Sequence, residues 1–152
     1  MLTFIQPILS GIADYSGNKK IFLKFFMYLG STSCMLLYFF DGENIEFGIM
    51  CSVFASIGFS GSLVFYNAFL PEIVTNKDFD KISARGFSFG YVGSVILLVI
   101  CLILVQNFEL FGFSDSKSAT KFTFLLVGFW WIFFSQITLY YLPQNAKKIK
   151  LT

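Results

Sequence analysis

Histidine is absent from this chain of 152 residues, which also contains only three cysteines and three prolines. Without an imidazole there is no histidine base and no His-based metal site. Cys34, Cys51 and Cys101 fall inside apolar runs at no pairing or metal-binding spacing, so they read as small packing residues. Charge is equally scarce: 13% of residues are Asp, Glu, Lys or Arg, against roughly 25% in soluble domains. Four stretches, 25–40, 47–71, 86–108 and 122–146, carry none at all. That excludes an intramembrane carboxylate pair, the chemistry of two-aspartate membrane proteases, and removes the strongest pointer to a proton path. There is also no G-x-S-x-G elbow and no phosphate loop. Enzyme chemistry is therefore not expected and no cofactor is implied, while a net charge of +2 makes no case for nucleic acid.

What is present is apolar bulk. Hydrophobic residues make up 56% of the chain and aromatics 20%, with 22 phenylalanines, and the mean hydropathy is +0.72. The expected class is an all-α integral membrane protein surrounded by lipid. A helix needs about 20 apolar residues to cross a bilayer. The runs Phe47–Pro71, Gly86–Phe108 and Phe122–Ala146 meet that length without a charge, and Ile21–Phe40 meets it with Lys24 alone, which can snorkel to the interface. Four complete helices are expected at about 21–40, 47–71, 86–108 and 122–142, followed by a tail at 143–152. Leu2 to Ile12 is apolar but half the necessary length, so a partial helix is expected over about 2–13; it lacks the basic flank and cleavage site of a signal peptide.

Orientation follows from Lys and Arg in the connections. Lys19, Lys20, Lys77, Lys81, Arg85, Lys147, Lys148 and Lys150 all fall on one side, and only Lys117 and Lys121 on the other. Eight against two places 14–20, 72–85 and the C-terminus in the cytoplasm. Tyr140 and Tyr141 suit a cytoplasmic-side belt, whereas Trp130 and Trp131 lie too deep for one and should pack between helices or face lipid.

Small residues recur every fourth position: Gly48, Ser52, Ser56 and Ser60 in one span, and Gly86, Gly90 and Ser94, with Gly93 beside them, in the next. This spacing lets helix backbones approach closely, and equally permits sliding or bending. The neutral polar residues inside the spans are Tyr66, Asn67, Gln106, Ser135 and Gln136. Tyr66, Asn67 and Gln136 are candidates for lining a solute path or for hydrogen bonding between helices.

The turn "GIADYSGNKK" at 11–20, with Gly11, Asp14, Gly17, Lys19 and Lys20, resembles the signature G-x-x-x-D-x-x-G-R-K-x of the major facilitator superfamily. Pro7 resembles the approach to it. "FYNAFLPEI" at 65–73, "KISARGFSFGYVGS" at 81–94 and "LLVGFWWIFFSQITLYYLP" at 125–143 are similar to its vacuolar amino-acid effluxer (autophagy-related) branch and that branch's bacterial relatives. The resemblance implies a gating role for the turn, Asp14 holding one transport state against a basic partner and a helix end in the other half of the protein. Asn18 stands where the family often has Arg. The fourth-helix Arg and fifth-helix Gly-Pro of many antiporters are missing, so proton antiport is not implied.

Members have twelve helices, and this chain resembles the end of helix two through helix six, part of the N-terminal half. The resulting expectation is a truncated or split secondary transporter in a bacterial cell membrane. It would move small solutes, amino acids among them, by alternating access, and would be inactive unless other membrane helices supply the missing part. The alternative is a small non-transporting membrane protein that binds partner helices through its glycine and serine faces. Either way the partners are membrane lipid and further helices.

Overall fold

The computed structural model describes residue 11 and residues 18–73 and 78–142. Four complete α-helices among the described residues run up, down, up and down: α1 (Lys19–Leu36), α2 (Ile45–Ile73), α3 (Phe79–Gln106) and α4 (Ser116–Tyr141). Short 3-10 turns, Leu37–Phe39 and Phe108–Phe111, follow α1 and α3. Each of the four is long and apolar enough to cross a membrane. The chain is an all-α integral membrane protein. The expected segment at 2–13, apart from Gly11, and the tail at 143–152 lie outside the described residues.

The helices outrun the charge-free stretches. At 1.5 Å per residue α2 and α3 are each about 42 Å long, against a hydrocarbon thickness of about 30 Å. α3 begins at Phe79, so two turns carrying Asp80, Lys81 and Arg85 precede its apolar part. α4 begins at Ser116 because Asp115 caps it, its carboxylate accepting the Ser118 N–H at 2.7 Å. α1, by contrast, ends four residues short of its apolar run, in a 3-10 turn. The return to α2 is made tight by the Asp41 carboxylate, which accepts the Glu43 N–H at 3.0 Å, and by Gly42 at φ 97°.

α1 is the centre of the bundle, with α2 on one side and α4 on the other; α3 packs on α4 and touches α2 lightly. Its contact with α2 is an antiparallel zipper that runs back from the turn at 41–44. Phe22 stacks on Phe65 (ring centroids 5.3 Å apart), Phe26 on Phe65 (5.7 Å), and Gly30 lies against Gly58. A Cβ on Gly58 would stand 2.5 Å from the Gly30 Cα and 2.8 Å from the Phe26 carbonyl oxygen. Gly61 makes room for the Phe26 ring. On the other side Trp131 lies over Gly30 and meets Phe59 of α2 edge-on at 6.2 Å, while Gly128 admits Met35. Trp131 thus packs between helices; Trp130 is half-buried against Phe134.

Many helix hydroxyls are satisfied locally. Ser31, Ser33, Ser52, Ser56, Ser88 and Ser94 each donate to the carbonyl four residues back. They therefore present little unmet polarity to apolar surroundings.

Candidate functional site: the lysine-capped end of the bundle

The driest part of the bundle is the end where α1 begins and α2 and α4 finish. Leu23, Phe65, Phe69, Leu139 and Leu142 are buried there as one cluster. Above it stand the two lysines of the signature turn. Lys19 Nζ donates to the Ala68 carbonyl of α2 at 3.2 Å, and Lys20 Nζ to the Leu142 carbonyl closing α4 at 2.6 Å.

The electrostatic logic lies in the neighbours. A lysine at the start of its own helix opposes that helix's dipole, but beside the C-terminal end of another it is favourable. Neither α2 nor α4 has a basic residue in its last turn. α1 supplies one to each. Lys19 and Lys20 thereby tie the start of the central helix to the ends of both flanking helices.

Of the remaining signature residues, Gly11 is helical and exposed, with open space where a Cβ would be; Asp14, Gly17 and Pro7 lie outside the described residues. The path candidates meet different partners. Tyr66 is half-buried, with its hydroxyl 3.0 Å from where a Cβ on Gly86 would lie. Asn67, also half-buried, adjoins it on α2. Gln136 lies on α4, where its amide donates to the Tyr28 hydroxyl at 2.8 Å. Ser135 is buried, and Gln106 is exposed at the end of α3. Arg85 is exposed in a shallow groove of about 290 Å³ with Phe89 and Val92.

The small-residue stripes are only partly used within the chain: Gly48 is buried and Gly86 half-buried, whereas most of the other members are exposed. Gly48 packs against the Phe40 ring, and Ser52 and Ser56 are exposed. With Ile49, Val53 and Phe124, these three line an open apolar groove of about 780 Å³ at the end of the bundle opposite the lysines. Ser60 is half-buried on the same helix. On α3, Gly90 and Gly93 have nothing within 4 Å of a Cβ, and Ser94 is exposed. The close approaches are made instead by Gly30, Gly58, Gly61 and Gly128, which the four-residue spacing did not single out.

These features define a polytopic helical membrane protein, with two antiparallel contacts fastened at one end and open faces elsewhere. The chain belongs to the "vacuole effluxer Atg22 like" family, whose model matches residues 1–80 and 75–151. It is 38% identical over 137 residues to an uncharacterized MFS-type transporter, YxiO, of Bacillus subtilis, a match covering 89% of this chain and 32% of that protein. It is 25% identical over 190 residues to autophagy-related protein 22-2 of Aspergillus niger, covering 85% of this chain and 31% of the relative. No solved structure matches. The chain spans about one third of the length of the curated relatives it matches. The fungal alignment is longer than this chain, so that relative carries inserted residues within the matched stretch. The two family matches overlap at 75–80, a stretch that includes the start of α3 at Phe79.

Proposed function

We propose that this chain is four helices of an Atg22-like secondary transporter, and that solute moves by alternating access between these helices and others outside the chain. The observation that carries the reading is the family match along the chain, set beside relatives three times as long. The open faces support it. The α2 groove is apolar, its hydroxyls are turned back into the helix, and α3 is exposed along most of its length. Such surfaces suit further helices better than a polar solute.

In this reading small solutes are the cargo, with amino acids the first class to try because of the branch the sequence resembles. The lysine-capped end faces the cytoplasm of a bacterial cell, together with 14–20, 72–85 and 143–152, as the excess of basic residues favours. Asp14 gates against the rest of the transporter, and the chain alone carries no flux. The test is uptake of an amino-acid mixture into vesicles. The longest reading frame containing this chain should transport, and its Asp14→Asn variant should lose transport while still inserting. Equal uptake by that variant contradicts the gating role, and no uptake of any small solute contradicts the transporter reading.

A further inference from the structure

One face of α1 is covered by neither α2 nor α4. Ile21, Phe25, Thr32 and Leu36 are exposed along it, and a groove of about 390 Å³ follows it from Ile21 to Thr32. The groove is mostly apolar, with Lys24, Tyr28 and Thr32 its polar members, and Tyr28 is linked to α4 through Gln136. Lys24 is exposed, its ammonium 5.8 Å from the centre of the Tyr28 ring. The Tyr28 oxygen accepts from Gln136, which leaves the phenolic proton free to donate. Among the described residues Lys24 has no anionic partner, whereas Lys19 and Lys20 are engaged with the carbonyls of α2 and α4.

Lys24 lies five residues into a membrane-spanning helix, about 7.5 Å from its start, the depth of a headgroup layer. From there the groove continues about 12 Å towards the bilayer centre, along Phe25, Leu29 and Thr32. A cation at the interface, a phenol donor one turn deeper and an apolar channel beyond match one molecule in charge and in shape. We propose that this face of α1 binds an anionic phospholipid: the phosphodiester pairs with Lys24 and takes a hydrogen bond from Tyr28, and one acyl chain lies along the groove. This site rests on the α1 face staying turned to lipid when the further helices of the transporter reading are in place.

The test places a photoreactive group in the groove. A Phe25→p-benzoyl-phenylalanine chain is reconstituted in vesicles of equal phosphatidylglycerol and phosphatidylcholine, irradiated, and its adducts weighed. Phosphatidylglycerol adducts should exceed phosphatidylcholine adducts, and Lys24→Gln should lower that ratio about fivefold, the effect of one lysine at a membrane surface. Lys81→Gln, the same charge change on α3, should leave the ratio unaltered, and helicity by circular dichroism should be the same in all three chains. A ratio unmoved by Lys24→Gln, or moved equally by Lys81→Gln, overturns the site. Adducts formed with protein in place of lipid overturn it too, because the face is then covered by a second copy of the chain.

Discussion

Lys19 and Lys20 look, in a linear reading, like two more positive charges in a basic loop; in the fold each has a particular carbonyl to hold. Removing one should loosen the helix end it caps more than it loosens its own. Lys20→Ala is expected to cost about 1 kcal/mol at the last turn of α4, a charge-assisted bond discounted for partial exposure. Amide exchange over 138–142 should then accelerate about fivefold, with α2 unaffected; a uniform acceleration would mean the lysine acts on global stability. At the opposite end Asp115 offers a pH readout. The Ser118 hydroxyl, and after it the Ser118 amide, holds this exposed carboxyl below its ordinary value. A depressed pKa means that the cap's contribution is complete above the usual carboxylate range and disappears as pH falls through the folded value. The first turn of α4 should therefore fray in acid, seen as Ser118 amide exchange. Asp115→Asn, which keeps an acceptor but not the titration, should remove that pH dependence.

At the scale of the helix, glycines of similar appearance have opposite consequences. Gly58→Ala forces a methyl group against the Gly30 backbone, and should destabilise the α1–α2 pair by about 1–3 kcal/mol in a detergent unfolding assay. Gly90→Ala meets nothing within the chain and should be neutral or stabilising by up to about 1 kcal/mol. Equal losses at both positions would contradict the packing described. This contrast also marks what could be read from the sequence. The four helices were legible because a bilayer demands long apolar stretches, and α2 departs from its run by only two residues at each end. The true starts of α3 and α4 were not, because charged and polar residues outside the hydrocarbon continue a helix as readily as apolar ones. The zipper of Phe22, Phe26, Gly30, Gly58 and Phe65 was missed because periodicity along one helix says nothing about which face its neighbour takes. Lys19 and Lys20 were singled out as motif residues, but their carbonyl partners lie 49 and 122 residues away and no local pattern reveals them.

For the whole molecule, orientation and activity are the properties to measure. In a cysteine-free background, Lys81→Cys should react only with a reagent admitted to the cytoplasm and Ser114→Cys only with one added outside; the reverse labelling would invert the assigned topology. The dry, lysine-fastened end and the open apolar groove together describe a bundle that is closely packed at one end and open at the other. Seating further helices would complete it, as a family whose curated relatives are about three times as long allows. The most direct measurement is amino-acid uptake into vesicles, comparing the 152-residue chain alone with the same chain reconstituted beside segments corresponding to the other two thirds of its curated relatives. The account predicts background uptake for the chain alone and solute uptake for the pair. Uptake by the chain alone would contradict it.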